Sequence, residues 1–207
     1  TNNALTNNAL TNNALTNNSL SDPNAREVLK YIVSCALPRG AEVNFTADGV
    51  AYTYPGEIGL APTWGQAGGT CDGKCQAWVS SCVMSRVDYL GEKVLISIRG
   101  SNPALSSTTA ERSAYSIREG AYFGNIFAAT TQRYACIAPG RTALTRVCGP
   151  TSSGCAVEVL GDCADMCDAP KTDGSYPKCS NEDSAASVDG SFVKKTYDSP
   201  VTVFLAP

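Results

Sequence analysis

The stretch DGKCQAWVSSCVMSRVDYLGEKVLISIRG, residues 72–100, changes its period halfway along. Cys75, Trp78, Val79, Cys82, Val83, Arg86, Val87 and Leu90 recur at spacings of three and four, the signature of one helix face. Gly91 stands where a helix stop is expected. From Glu92 the spacing drops to two, with Val94, Ile96 and Ile98 alternating against Leu95 and Ser97, which predicts a central strand over 92–100. A helix thus feeds a strand, and its cysteines lie on the side that packs.

Upstream, SDPNAREVLKYIVSCAL at 21–37 carries a helix start: Ser21 or Asp22 can cap free N–H groups, and Pro23 lacks the donor that would go unused there. Ala25, Val28, Leu29, Ile32, Val33 and Ala36 form one face beside Cys35, and Pro38 and Gly40 end the run. EVNFTADGVAYTY reads as a hairpin turning at Asp48-Gly49. Downstream, AYFGNIF, RYACIA, CAVEVLG and PVTVFLA are strand candidates separated by turn residues. Residues 161–189 are acidic, Cys-rich and irregular, which predicts a disulfide-held loop. The expected fold is α+β: a single disulfide-rich domain over 21–207, with two helices in its N-terminal half and a mainly antiparallel sheet, preceded by a repeat tail over 1–20.

The 207 residues include ten cysteines: Cys35, Cys71, Cys75, Cys82, Cys136, Cys148, Cys155, Cys163, Cys167 and Cys179. An even, dense set without a cofactor motif predicts an exported chain with up to five disulfides, since cytosolic thiols stay reduced. Cys35 to Cys82 would tie the two helices, but ten cysteines allow on the order of 900 pairings and sequence alone does not choose. Zinc is the competing use of the C-x3-C pairs Cys71/Cys75 and Cys163/Cys167, and the extra cysteines nearby favour disulfides. No cofactor and no metal is expected. The net charge of −3, with scattered Lys and Arg, excludes a basic nucleic-acid surface. No window is apolar enough for an integral membrane segment, and the start lacks the order of a signal peptide, so a mature form at the cell surface or outside it is expected.

The chain has no histidine, which removes Ser-His-Asp, Cys-His and H-E-x-x-H chemistry. SFVK at Ser191–Lys194 fits the S-x-x-K pattern of serine acyl transfer, without S-D-N or K-T-G elsewhere and outside a helix start. Glu57, Asp72, Glu92, Glu111 and Glu119 offer carboxylates for a glycoside-cleaving pair, but nothing in the sequence pairs them. Asp162, Asp165, Asp168, Asp173, Glu182 and Asp183 lack the alternation of a calcium loop. Trp64, in GLAPTWGQAGG, either fills the core or stacks on a sugar ring from an exposed loop. No catalytic residue is assigned.

TNNALTNNALTNNALTNNSL at 1–20 is four five-residue units. On a helix its leucines would turn by about 140° per unit and form no stripe. On a strand they take opposite faces in turn. The period resembles the pentapeptide-repeat family, whose square β-solenoid buries a central Leu or Phe, the position that Leu5, Leu10, Leu15 and Leu20 occupy. The units depart from that family in carrying Asn3, Asn8, Asn13 and Asn18 two before the leucine. The remainder, notably LKYIVSCALP and YLGEKVLISIRG, resembles secreted Cys-rich proteins of myxobacteria, which implies export and no particular activity. Four units make at most one coil, too few to stand alone. Stacking one coil per subunit at strand spacing would crowd the domains. An extended tail that adds a strand to a neighbour's sheet avoids both difficulties. The sequence therefore predicts a secreted, non-enzymatic structural subunit that forms a homo-oligomer or filament through Leu5, Leu10, Leu15, Leu20, Asn3, Asn8, Asn13 and Asn18. The alternative is a monomeric glycan- or surface-binding module using Trp64, with a carboxylate hydrolase third.

Overall fold

The computed structural model describes residues 20–66, 68–89, 91, 93–149, 155–188 and 191–207, and only the backbone over 182–188 and 191–193. The repeat positions before Leu20, together with Leu90 and Glu92, lie outside the described residues.

Helix α1 (Pro23–Ala36) starts as its sequence requires: the Asp22 side chain accepts from the Asn24 N–H and Pro23 occupies the first turn. It buries Leu29, Ile32, Val33, Cys35 and Ala36. Strands β1 (Glu42–Ala47) and β2 (Val50–Pro55) form the expected hairpin, with Asp48 and Gly49 at φ 51° and 76°, the positive pair a two-residue turn of this kind needs. Val43↔Tyr54 and Phe45↔Tyr52 face one side and Asn44↔Thr53 the other, and the Phe45 and Tyr52 rings stack at 5.2 Å. The Arg26 guanidinium of α1 lies over Tyr52 at 5.0 Å, which holds hairpin and helix together.

Helix α2 (Gly73–Ser85) is capped by Asp72, which accepts from the Cys75 N–H. It stops at Ser85, short of the Gly91 stop read from its spacing. The reason is tertiary. Arg146 donates to the carbonyls of Ser85 and Val87, and the Tyr89 N–H donates to the Arg146 carbonyl, so the chain after Ser85 is drawn off the helix axis. Cys35 and Cys82 form the helix-to-helix disulfide, both fully buried. Closing a loop of 47 residues is worth about 4 kcal/mol in the chain-entropy account.

The main sheet contains β3 (Ile96–Arg99), β4 (Ile117–Asn125), β5 (Gln132–Ile137), β6 (Glu158–Asp162) and β9 (Val201–Leu205), in the order β3-β9-β4-β5-β6. Every pairing is antiparallel except β5 with β6. The expectation that the 92–100 strand is central is corrected: β3 is an edge strand of four residues, because β9 inserts between β3 and β4. Strand β9, which buries Val201, Thr202, Val203 and Phe204 in succession, has neighbours on both sides.

Both faces of β4 are covered. Helix α2 packs on one, where Tyr122 joins Met84, Leu144, Val147 and Val203; Ala121 and Phe123 turn the other way, to Cys136, Cys163, Tyr176, Cys179 and Tyr197. A third cluster joins α1, α2, Leu60, Trp64 and Phe127. Gly120 has no room for a side chain, since a Cβ there would stand 2.3 Å from the Cys136 carbonyl oxygen. The β4–β9 register shifts between Arg118 and Gly120. The residue in that bulge, Glu119, is 1% exposed.

The described residues also include three short α-helices, α3 (Thr109–Ala114), α4 (Thr145–Cys148) and α5 (Cys163–Met166), and a 3-10 turn at Pro103–Leu105. The segment expected to be an irregular loop is corrected in the same way. It contains α5 and β7 (Cys179–Val188), which pairs with β8 (Ser191–Tyr197) as an antiparallel ribbon. Its order comes from Cys136–Cys163 and Cys167–Cys179, which fix both ends of 163–179 to the sheet side, a constraint that composition does not express. Cys71–Cys75 and Cys148–Cys155 bring the disulfides to five and leave no free cysteine. Among the described residues no helix is long and apolar enough to cross a membrane.

Candidate functional site

Residues from two ion pairs, Arg146 from one and Glu57 and Arg86 from the other, line one groove. Arg146, on α4, grips Glu119 in the β4 bulge: Nε donates to Oε1 at 3.1 Å and Nη2 to Oε2 at 2.6 Å, with side chains 8% and 1% exposed. The Tyr122 hydroxyl donates to Glu119 Oε2 at 3.1 Å. Burial, and then the Glu119 charge, push the Tyr122 phenol well above its ordinary 10.0. This network is a clamp on the chain leaving α2, since the same guanidinium holds the Ser85 and Val87 carbonyls.

The second pair lies at the C-terminal end of α1. Glu57 accepts from the Ser34 hydroxyl at 2.6 Å and from Arg86 at 3.0 Å. The Ser34 hydrogen bond, followed by Arg86, holds the Glu57 carboxyl below its ordinary 4.5. Between the pairs runs a groove of about 370 Å³ lined by Tyr31, Glu57, Arg86, Asp88, Lys93, Val94, Leu95, Ile96 and Arg146.

One wall of this groove is apolar and open. Leu95 is 77% exposed and Val94 45%, immediately before the first residue of β3, and Tyr31, which lines the same groove, is 37% exposed. Among the described residues β3 pairs only with β9, so its other edge carries no strand. The inner register of β3 is fixed firmly. Ser97 donates to Glu111, and Arg99 donates to Ser97 Oγ and to the carbonyls of Tyr115 and Asp173 while stacking on Phe204 at 3.7 Å. A rigid strand therefore presents an unpaired edge with two large apolar side chains at its start.

The residues singled out from sequence have separate fates. All ten cysteines are paired, with Cys35 joined to Cys82 as anticipated, and Cys163 and Cys167 each bonded outside their C-x3-C spacing. Trp64 is 1% exposed and meets Phe127 edge-on at 5.3 Å, so the surface-stacking alternative for this indole is corrected: it is a core residue. The loop looked open because its Gly and Pro content says nothing of Phe127, 63 positions away in sequence.

Leu20 packs against its own subunit's core cluster and its carbonyl accepts from Arg26, so of the four repeat leucines this one has an internal seat. Leu5, Leu10, Leu15 and the asparagines Asn3, Asn8, Asn13 and Asn18 lie outside the described residues. Among the described residues Glu57, Asp72, Glu111, Glu119, Asp162 and Asp173, singled out from sequence, have separate partners, and Glu92 and the side chains of Glu182 and Asp183 lie outside the description. Asp72 caps α2, Glu111 accepts from Ser97, and Glu57 and Glu119 belong to different ion pairs. Asp162 caps α5 and Asp173 accepts from Ser175. SFVK lies within β8, not at the helix start that serine acyl transfer requires. Sequence reasoning missed the groove because Arg146 and Glu119 are 27 positions apart and only the β4 bulge aims one at the other. The local signal that pointed to it was the unbroken apolar run Val94–Ile96 ahead of so short a strand. No protein-family model, curated protein or solved structure matches this chain.

Proposed function

We propose that the protein is an exported structural subunit whose N-terminal repeat lies along the β3 edge of the next copy and joins subunits head to tail. The observation that carries this reading is Leu95, 77% exposed beside Val94 at an unpaired strand edge. Such an edge is a template for another strand, and proteins that remain monomeric blunt it with charge, proline or a bulge. The repeat is chemically suited to cover it. It has no charge to desolvate, its Asn and Thr side chains can satisfy polar groups beside a main-chain ladder, and its leucines supply apolar contact.

Parity adds support. At strand spacing Val94 shares the face of Ile96 and Ile98, and Leu95 that of Ser97 and Arg99. Leucines five apart also alternate faces, so two successive units place one leucine on each side of the edge. The positions from Lys93 to Arg99 span about 23 Å, which accepts roughly seven tail residues. Reach is adequate as well. The residues before Leu20 extend up to about 60 Å, against a body about 40 Å across, so a tail rooted at its own α1 reaches a neighbour. A contact between different surfaces of identical subunits repeats unless its rotation closes, and gives a filament. The five disulfides support the export component, since such bonds persist in oxidising surroundings.

Light scattering across a concentration series tests the proposal. The intact chain is expected to grow in mass with concentration, while a chain lacking residues 1–19 and the variant Leu95→Lys stay monomeric. The shortened chain retains the β3 edge, so a synthetic peptide of three TNNAL units is expected to bind it and not Leu95→Lys. An intact chain that stays monomeric at millimolar concentration, or assembly that survives removal of residues 1–19, would refute the reading.

A further inference from the structure

Two disulfides on the far side of the sheet are in contact with one another. Cys136 Sγ, bonded to Cys163, lies 3.5 Å from Cys167 Sγ, bonded to Cys179. This is the separation of reacting atoms poised for displacement. The two bonds differ in access. Cys136 and Cys163 are sealed at 0% exposure and Cys179 is at 1%, whereas Cys167 is only partly buried. Cys167 and Cys179 line a groove of about 230 Å³ with Asp168, Lys178 and Lys194. Lys178 also pairs with Asp198 at 3.3 Å, which leaves Lys194 as the groove's second ammonium group.

We infer that this cluster is a thiol–disulfide exchange site: it admits a small anionic thiol at Cys167–Cys179 and passes the exchange inward to Cys136–Cys163. The volume suits a small thiol and not a folded partner, and with Lys178 already paired to Asp198, Lys194 is the ammonium group beside the disulfide that favours an arriving thiolate. A first thiolate attacks the accessible Cys167 Sγ. The bond to Cys179 breaks, and Cys179 leaves with the electron pair and takes a proton from water. A second thiolate attacks the external sulfur of the mixed disulfide, forms the external disulfide and releases Cys167 as a thiolate. Cys167 then displaces Cys163 from Cys136 across the 3.5 Å contact. Cys136–Cys167 forms, and Cys163 and Cys179 end as thiols. The two external thiols supply both electrons of the reduction, and the inward step is an exchange with no net redox change.

The reading is independent of assembly through the tail. Its test is limited reduction of the native protein with glutathione, followed by acid quench, alkylation and peptide mapping. The expected product carries a Cys136–Cys167 crosslink with Cys163 and Cys179 alkylated. Alkylation of Cys167 and Cys179 with Cys136–Cys163 intact would overturn the relay, as would reduction of another disulfide first. In Cys179→Ser the free Cys167 is expected to yield the same crosslink with no added thiol. For recognition of the anion, Lys194→Ala should slow reaction with glutathione about threefold and reaction with mercaptoethanol, whose thiolate carries less negative charge, by less; equal rates for both proteins with both thiols would refute that part.

Discussion

Replacing Glu119 by Gln should expose the logic of the Arg146 clamp. The two side chains are 1% and 8% exposed and joined by two hydrogen bonds, so neutralising one leaves a guanidinium charge with little water to receive it. Breaking a buried pair from one side costs about 3–5 kcal/mol. Arg146 keeps its bonds to the Ser85 and Val87 carbonyls, which places Glu119→Gln near the lower end, about 3 kcal/mol. Arg146→Met should cost more, because it strands the Glu119 carboxylate and also frees two carbonyls worth about 1 kcal/mol each. The double variant Glu119→Leu with Arg146→Met removes both charges and leaves the two carbonyls and the buried Tyr122 hydroxyl without these partners, a loss of about 3 kcal/mol at about 1 kcal/mol each, so it should be no worse than Glu119→Gln. Urea unfolding monitored by tryptophan fluorescence reads these differences: at a slope of about 2 kcal/mol/M, a loss of 3 kcal/mol lowers the midpoint by about 1.5 M. Amide exchange at Tyr89, whose N–H is held by the Arg146 carbonyl, should accelerate in step. Losses of the single variants Glu119→Leu and Arg146→Met that simply add in their double variant, to within about 0.5 kcal/mol, would refute the coupling on which the clamp depends.

Two further outcomes follow from burial. Tyr122 has a phenol raised above 10.0 in the fold, so the native state holds its proton after the unfolded chain has lost it. Its contribution is complete below that value and is lost as pH climbs beyond it; stability measured from pH 9 upward should fall, and Tyr122→Phe should flatten the decline. Trp64→Ala should cost about 3–5 kcal/mol in thermal or urea unfolding, as for an aromatic removed from a core, and a loss below 1 kcal/mol would return this indole to the surface.

The parts of the fold legible in the sequence are those where local and tertiary demands agree. Asp22-Pro23 marks a helix start whatever surrounds it, and Asp48-Gly49 can hardly do anything but turn a hairpin. Where the structure departs from the sequence reading, a distant partner has intervened. Helical spacing continues to Leu90, yet Arg146 takes the backbone after Ser85. The alternation around Ile96 looks like a central strand, but β9, which starts 105 positions later at Val201, occupies the inner place. The groove was harder still to read. Arg146, which lines it, is held by a Glu119 that one register shift places, and its apolar residues Val94 and Leu95 resemble ordinary strand core in the sequence. Among the cysteines, two helix faces made Cys35–Cys82 one attractive pairing among many without selecting it, whereas the contact between Cys136 and Cys167 requires three elements to meet.

The place of β9 between β3 and β4 also dictates an order of events during synthesis. Neither Ile96 nor Ile117 finds its partner until Leu205 has been made, because both pair with that one residue. A nascent chain that has reached Pro200 thus holds helices α1 to α5 and all ten cysteines while its principal sheet lacks the strand that unites it. Pairings of such sequence separation fold slowly and leave strand edges bare in the meantime. The cysteines must stay apart, or be reshuffled, until Val201–Leu205 arrives, and the time to reach the native crosslinks should track the docking of that strand and not the oxidation of the thiols.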